Sequence, residues 1–242
     1  MMVRMHPTEL AHDDPDLIWQ QCLFAFDEPA VAVPIDANRT WLDDDSWVDY
    51  VPRWMHGADL VFAELVARLP WRQRQVVMYH ELLAEPRLTA WWSTAVEGPE
   101  PLPVLGEARQ RLTRHYGRPF DAIGFNLYRD GRDSVAWHAD RERYHHEDPV
   151  VAIVSVGSPR PFQMRPKGGG ASTTWMLGQG DLLVMGGACQ HQFEHAVPKV
   201  ARAAGPRLSI MFRHNQADEQ PPQEVVAAQQ VRRNHPSAQA RD

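Results

Sequence analysis

The stretch WHAD, residues 137–140, places two metal-ligating side chains two residues apart. On a β-strand, residues i and i+2 point to the same side, so the His138 imidazole and the Asp140 carboxylate can converge on one point. Two ligands hold a metal weakly, so a second imidazole must come from elsewhere. His195 in HQFEHAVPK is the first candidate, and His191 in the same segment is the alternative. Two histidines and one carboxylate would hold one face of an octahedral metal and leave three positions open, as in non-haem Fe(II) oxygenases.

The stretch PRLSIMFR, residues 206–213, alternates between two kinds of side chain. One face of the predicted strand is bulky and apolar, and the other face carries Arg207, Ser209, Met211 and Arg213. Two guanidinium groups that face the interior of a barrel would bind a dicarboxylate, because their fork matches carboxylate geometry. A buried cation without an anion is very costly, so this interpretation predicts a bound acid. The alternative is a pair of solvated arginines on an exposed face.

Two helices are predicted before the residues that could do chemistry. The first runs from Ala58 to Leu69, where apolar residues recur at helical spacing. Gly57 precedes it and Pro70 ends it. The second covers PVLGEARQRLTRHYG, with Gly117 as its stop.

Short β-rich runs follow the second helix, separated by Gly, Pro and Asp clusters. There are seven of them: AIGFNLY, VVAIVSV, PFQMRP, TTWML, DLLVMG, HQFEHAV and RLSIMFR. Helices followed by many short strands predict an α+β fold, a sandwich or a jelly-roll barrel with the helices packed outside the major sheet. We expect a loose N-terminal segment at residues 1–18, a single domain at 19–215 and a mobile tail at 216–242.

The composition is that of an ordinary globular protein, with 43% hydrophobic and 23% charged residues. A net charge of −6 excludes a globally basic surface, so any contact with nucleic acid needs a local basic patch. Only two cysteines occur, which excludes a disulfide framework. We find no signal-peptide pattern and no apolar run near the roughly 20 residues that a membrane helix needs. We therefore expect a soluble, cytoplasmic protein.

The order N-x-Y, H-x-D, H and R-x5-R resembles the AlkB family of Fe(II)- and 2-oxoglutarate-dependent nucleic-acid demethylases. The resemblance covers residues 70–213 and is closest to the subgroup that contains the animal AlkB homologues; it includes EPRLTAWW, FNLYRDGRDSVAWHAD and GDLLVMGGACQHQFEHAVPK. It implies a double-stranded β-helix, the jelly roll. It also implies a dioxygenase that uses Fe(II), 2-oxoglutarate and O2 to remove N-methyl groups from nucleobases, a direct-reversal DNA repair reaction that releases formaldehyde, succinate and CO2.

The resemblance further implies roles for particular side chains. The iron ligands that it implies are His138, Asp140 and His195. The residues that it implies for 2-oxoglutarate are Asn126, Tyr128, Arg207, Ser209 and Arg213, with Arg207 at the distal carboxylate. Ser209 stands where the family often has Asn, and Met211 stands where it usually has a polar residue. The residues that it implies near the damaged base are Glu142 and one of two aromatic candidates, Trp91 or Trp92.

The partner that this resemblance implies is alkylated DNA or RNA. A methylated base inside a duplex is out of reach, so the base is expected to be flipped out or single-stranded. Arg72, Arg74 and Arg87 are expected near the mouth of the site, where they would contact phosphates. The protein is expected to act as a monomer. Two alternatives stay open: a 2-oxoglutarate-dependent hydroxylase of a small metabolite or protein side chain, and a non-catalytic jelly-roll binding module.

Overall fold

The computed structural model describes residues 28–78, 81–95, 98–140, 148–201 and 204–214. Within these ranges the chain forms fifteen β-strands and three helices, which are numbered in chain order. The helices are α1 (Ala58–Arg68), α2 (Pro103–Tyr116) and α3 (Cys189–Gln192). In the described ranges, none of the helices has the length and apolar character that crossing a membrane would require.

The larger sheet contains seven antiparallel strands whose spatial order differs from their order in the chain. From one edge to the other they are β2 (Asn38–Trp41), β3 (Ser46–Val51), β13 (Asp181–Gly187), β10 (Val151–Gly157), β15 (Arg207–Arg213), β8 (Ala122–Tyr128) and β7 (Leu88–Ser93). Strand β15 pairs with β10 on one side and with β8 on the other. The strand that carries both arginines therefore lies inside the sheet, where its side chains have fixed neighbours.

The smaller sheet contains four antiparallel strands. Their spatial order is β12 (Thr173–Leu177), β11 (Arg160–Pro166), β14 (Phe193–Val197) and β9 (Val135–His138). Two further pairs of strands complete the described structure: β1 (Ala30–Val31) with β4 (Met55–His56), and β5 (Gln75–Met78) with β6 (Glu81–Ala84).

Strand β15 divides its side chains between two hydrophobic cores. Leu208, Ile210 and Phe212 join the core that the larger sheet forms with α1 and α2. Met211 joins the second core, which packs residues of the larger sheet against residues of the smaller one. Each fully buried side chain of this size contributes about 1.5–3 kcal/mol through the hydrophobic effect. The alternation predicted for this strand is confirmed, and so is the α+β jelly roll with helices outside the larger sheet.

Both predicted helices are present. Helix α1 begins after Gly57 and ends at Arg68, because Leu69 is already extended ahead of Pro70, as the residue before a proline usually is. Helix α2 ends at Gly117, which has φ 64° and so adopts the left-handed conformation that closes many helices.

Several strands were not predicted from the sequence. Strand β2 lacks the alternation of a half-buried strand, since all four of its residues are exposed. It is held against β3 by Arg39, whose Nε donates to Asp49 Oδ1 at 2.7 Å. The run HQFEHAV is also shorter than predicted as a strand, because His191 and Gln192 belong to α3.

The predicted terminal segments, residues 1–18 and 216–242, lie outside the described residues. The single domain at 19–215 stays a prediction.

Candidate active site

Three potential metal ligands form a cluster where β9 and β14 pair. One ligand atom each from His138, Asp140 and His195 lies within 4.8 Å of the other two. The two histidines are direct cross-strand partners, and their ring centroids lie 4.3 Å apart. Their Nε2 atoms lie 3.8 and 3.9 Å from Asp140 Oδ1. His191 is exposed on α3 and is not part of the cluster. The strand register therefore favours His195 over His191 as the second imidazole.

Asp140 reaches the cluster from a loop, which differs from the strand geometry predicted for it. Strand β9 ends at His138, two residues earlier. The backbone N–H of Asp140 donates to Oε1 of Gln190 at 3.0 Å, and Gln190 is buried on α3. This hydrogen bond fixes the loop to α3. Sequence patterns did not reveal Gln190, because 50 residues separate it from its partner.

The charges around the cluster suit a bound cation. Burial would raise the pKa of the Asp140 carboxyl, but nearby positive charge, foremost that of Arg213, lowers it below its ordinary value. Arg213 Nη2 donates to Asp140 Oδ1 at 2.8 Å, while Oδ2 has no hydrogen-bond partner within the described ranges. Burial lowers the pKa of His195 to about 4, so this imidazole is neutral at physiological pH, as a metal ligand must be. An unpaired buried carboxylate oxygen beside two imidazoles fits a divalent metal ion.

The imidazole of His138 is oriented by its own backbone. Its Nδ1 lies 2.9 Å from the carbonyl oxygen of Ala136. When Nδ1–H donates to that carbonyl, Nε2 carries the lone pair and faces Asp140. Metal-bound histidines commonly have their other ring nitrogen held in this way.

A buried guanidinium lies on the inner face of the larger sheet. Arg207 is 1% exposed, and its Nη2 donates to Ser155 Oγ at 2.6 Å. Its Nε and Nη1 atoms have no hydrogen-bond partner in the described part of the chain. Burial lowers the pKa of Arg207 to about 10, which leaves the group charged at neutral pH. A buried cation with two unpaired donors fits a carboxylate ligand.

Three of the other residues predicted to bind 2-oxoglutarate lie on the same pair of strands as this guanidinium. Tyr128 and Arg207 are direct partners across β8 and β15, and so are Asn126 and Ser209. The Arg207 guanidinium lies 5.3 Å from the centre of the Tyr128 ring. Asn126 Nδ2 donates to Met211 Sδ at 3.4 Å. The pairing of two strands thus brings four of the five predicted residues together on one wall, here called the co-substrate wall, whereas the fifth, Arg213, contacts Asp140.

Arg160 is a second fully buried arginine, and no sequence pattern predicted its burial. Its Nη1 donates to the carbonyl of Asp130 at 2.7 Å. Its Nη2 donates to the carbonyls of Asp133 and Pro198 at 2.8 and 2.9 Å. These bonds tie the loop that follows β8 to the loop that follows β14. Arg160 therefore supports the wall that carries Tyr128 and the strand that carries His195.

A cavity of about 630 Å³ joins the metal-ligand cluster to the co-substrate wall. Asn126, Tyr128, Ser209 and Arg213 line it, together with the three potential metal ligands. Arg207 is buried beside this wall, against the lining residue Tyr128.

The arginines expected to contact phosphates also line the cavity, but they differ in orientation. Arg72 and Arg74 are exposed. Arg87 turns inward: its Nε donates to Asn126 Oδ1 at 3.3 Å, and its Nη2 lies 3.2 Å from Glu85 Oε2. A role for Arg87 in phosphate contact stays a prediction, and its observed contacts connect it to the co-substrate wall instead.

The two tryptophan candidates occupy opposite faces of β7. Trp91 is 45% exposed, lines the cavity and is the cross-strand partner of Gly124. A Cβ on Gly124 would lie 3.2 Å from the Trp91 ring, so the glycine leaves the space that this ring occupies. Trp92 is 3% exposed and belongs to the core behind the sheet. Glu142, the other predicted substrate residue, lies outside the described residues.

Comparisons with known proteins agree with this geometry. A model of the 2OG-Fe(II) oxygenase superfamily matches residues 59–213. The chain is 34% identical over 174 residues to alpha-ketoglutarate-dependent dioxygenase alkB homolog 3 of Mus musculus, and 33% identical over 174 residues to that of Homo sapiens. Each match covers 64% of this chain and 61% of the relative. The chain is also 26% identical over 209 residues to DNA oxidative demethylase ALKBH2 of Arabidopsis thaliana, a match that covers 65% of this chain and 67% of that protein. The chain thus spans less than two thirds of the length of its mammalian relatives, and the predicted resemblance to AlkB proteins is confirmed.

Proposed function

We propose that this chain, which belongs to the 2OG-Fe(II) oxygenase superfamily, oxidatively removes N-alkyl groups from nucleobases. The superfamily uses Fe(II), 2-oxoglutarate and O2. The observation that carries the proposal is the single cavity that joins the metal-ligand cluster, the co-substrate wall, an exposed tryptophan and exposed arginines. The curated relatives are named as a dioxygenase homologous to AlkB and as a DNA oxidative demethylase, which supports the same substrate class.

His138, Asp140 and His195 are the proposed ligands of Fe(II). Their support is the cross-strand register of the two histidines and the unpaired Oδ2 of Asp140. When Fe(II), 2-oxoglutarate and O2 are bound, they supply the oxidation of the N-methyl group, with succinate, CO2 and formaldehyde as products. Arg213 has a positioning role, because its guanidinium holds Asp140 Oδ1.

Arg207 is the proposed partner of the distal carboxylate of 2-oxoglutarate. Its Nε and Nη1 have no partner in the described part of the chain, so this buried charge is available to a carboxylate. Asn126, Tyr128 and Ser209 would add neutral hydrogen-bonding groups along the same wall. Ser209 has a shorter side chain than the Asn that the family often has at this position. Arg87 fixes the amide of Asn126 by donating to its Oδ1.

Trp91 is the proposed stacking surface for the substrate base. Its ring is exposed toward the cavity, and base–aromatic stacking contributes about 1–3 kcal/mol per base. Arg72 and Arg74 would contact the phosphates on either side of a flipped or single-stranded base. We also propose a cytoplasmic location, because the sequence contains only two cysteines and so no disulfide framework.

The test is incubation with oligonucleotides that carry 1-methyladenine or 3-methylcytosine, as single- and double-stranded DNA and as RNA. Fe(II) and 2-oxoglutarate are supplied, and formaldehyde, succinate and the unmethylated base are measured. Asp140→Ala should reduce turnover more than about 100-fold, because it removes a metal ligand and its charge. Asp148→Ala is the matched control, because Asp148 is an exposed aspartate outside the cavity and this change should leave turnover unaltered.

Three outcomes separate the proposed function from its alternatives. Loss of methyl groups in step with the formation of succinate supports demethylation. Succinate release on a small metabolite or a peptide, without loss of methyl groups, would support the hydroxylase. Failure to bind either Fe(II) or 2-oxoglutarate in calorimetry would support a non-catalytic binding module.

A further inference from the structure

Met211 places a thioether in the wall of the candidate active site. It lies on the inner face of β15, is 9% exposed and lines the cavity. Of the described residues that line this cavity, Met211 alone contains sulfur. A thioether is readily oxidised to a sulfoxide, which is polar where the parent side chain is apolar. The candidate active site of this oxygenase therefore contains an oxidisable side chain.

The sulfur is held in a defined position. Sδ accepts from Asn126 Nδ2 at 3.4 Å and from Arg213 Nη2 at 3.6 Å. The same Nη2 also donates to Asp140 Oδ1, so one guanidinium nitrogen touches both the thioether and a proposed metal ligand. The methyl end of Met211 lies next to Gly124, where a Cβ would be 3.1 Å from its Cε. The side chain is thus held at both ends beside the proposed metal centre.

We propose that Met211 is a self-modification site, oxidised to methionine sulfoxide when the enzyme turns over without a nucleic-acid substrate. The inference rests on the proposed oxygenase function. One oxygen atom of O2 enters succinate and the other forms a bond to Met211 sulfur. O2 accepts four electrons, two from 2-oxoglutarate as it loses CO2 and two from sulfur, so no further reductant or proton is needed.

The modification would act on the co-substrate wall. A sulfoxide oxygen is a much stronger acceptor than a thioether, and the two nearest donors belong to Asn126 and Arg213. Asn126 is proposed to bind 2-oxoglutarate, and Arg213 is proposed to position Asp140. Oxidation therefore weakens 2-oxoglutarate binding and slows further turnover. The lesion is reversible, because methionine sulfoxide reductases restore the thioether.

The experiment uses the full chain with Fe(II), 2-oxoglutarate and ¹⁸O2, without nucleic acid and with catalase present. Trypsin releases residues 208–213, a peptide with Met211 as its single methionine. We expect this peptide to gain one ¹⁸O atom in step with succinate. Met176, which is 56% exposed on β12, reports oxidants in bulk solution and should stay unlabelled. Omission of 2-oxoglutarate should abolish the label.

A pair of variants provides an independent readout. Met211→Leu keeps a similar volume but has no sulfur. Succinate formation in wild-type protein should decline with time as the label accumulates, and a methionine sulfoxide reductase should restore it. Met211→Leu should show no such decline relative to its own initial rate, whereas Met176→Leu should decline like wild type.

Several results would overturn the inference while leaving the proposed function intact. One is succinate release with an unlabelled 208–213 peptide. A second is label on Trp91, in the tryptic peptide 88–109, in place of Met211. A third is equal labelling of Met176, which would indicate diffusible oxidants. A fourth is demethylation of an oligonucleotide by an enzyme that forms no succinate without it. Absence of both succinate and demethylation would instead contradict the proposed function, and the inference with it.

Discussion

The side chain of Gln190 accepts the backbone N–H of Asp140 at 3.0 Å and so joins the short helix α3 to the loop that carries a proposed metal ligand. The amide nitrogen of Gln190 is also held in position, because Nε2 lies 3.7 Å from Met185 Sδ. Mutation of groups that orient metal ligands in this way typically weakens metal binding by about 10- to 100-fold. Gln190 is therefore a positioning residue of the candidate site.

Gln190→Leu should weaken metal binding by about 10- to 100-fold, because the loop with Asp140 loses its described anchor. The measurement is titration with Mn(II), followed by the electron paramagnetic resonance of the free ion. Gln190→Glu keeps the acceptor oxygen and should recover much of the affinity. Gln192→Leu is the matched control, since Gln192 is exposed at the end of the same helix. Equal Mn(II) affinity in Gln190→Leu and Gln192→Leu would show that the hydrogen bond has no positioning role.

Arg207→Lys should weaken 2-oxoglutarate binding by about 10- to 100-fold. The change keeps the charge but removes the planar fork, and a hydrogen bond to a charged group contributes roughly 1.5–3 kcal/mol. Calorimetry in the presence of Mn(II) measures the affinity without turnover. Arg132→Lys changes an exposed arginine that does not line the cavity and should bind like wild type. Unchanged affinity in Arg207→Lys would mean that the distal carboxylate binds elsewhere.

The two tryptophans of β7 should respond to substitution in opposite ways. Trp91→Ala should weaken binding of a methylated oligonucleotide by about 10- to 100-fold, with little change in the free energy of unfolding. Trp92→Ala should lower the free energy of unfolding by about 3–5 kcal/mol, because it empties a core position. Fluorescence anisotropy and urea denaturation measure the two quantities. A large loss of stability in Trp91→Ala would assign Trp91 to the core as well.

Cys189 should resist thiol reagents in the native protein. Burial raises the pKa of its thiol to about 12, so at pH 8 the reactive thiolate is roughly a thousandfold rarer than for an ordinary cysteine. The raised value also means that the neutral thiol stabilises the fold below pH 9 and that this contribution is lost as the pH rises toward 12. The test is reaction with Ellman's reagent at pH 8 in a Cys22→Ser background, before and after denaturation. Rapid reaction of the native variant would contradict the burial of Cys189.

The parts of the site that lie on one strand were predictable from the sequence. On β15, alternation alone separates Arg207 and Arg213 from the apolar residues that pack against the helices, since neighbouring side chains point to opposite faces. The His138 and Asp140 pair was also visible, although its geometry was not. Asp140 lies beyond the end of the strand, and its position depends on Gln190, which no local pattern connects to it.

The parts of the site that depend on distant contacts were not predictable. Ser155 contacts Arg207 because β10 and β15 are neighbours in the sheet, and Arg160 bonds to loops 27 to 38 residues away. The direction in which an arginine side chain points is equally difficult to predict from the sequence. The sequence gives no sign that the Arg87 guanidinium contacts Glu85 and Asn126, and its predicted contact with phosphates stays a prediction. Such contacts follow from the tertiary arrangement, which single-sequence patterns do not contain.

The place of β15 between β10 and β8 has a consequence for synthesis on the ribosome. Strands β8 and β10 are both translated before β15. One edge of each therefore stays unpaired until residues 207–213 leave the ribosomal exit tunnel. A nascent chain that stops short of them has two unpaired edges that can join other chains, and it lacks Arg207 and Arg213. The larger sheet is therefore continuous, with Arg207 and Arg213 in place, only after this one strand has been translated.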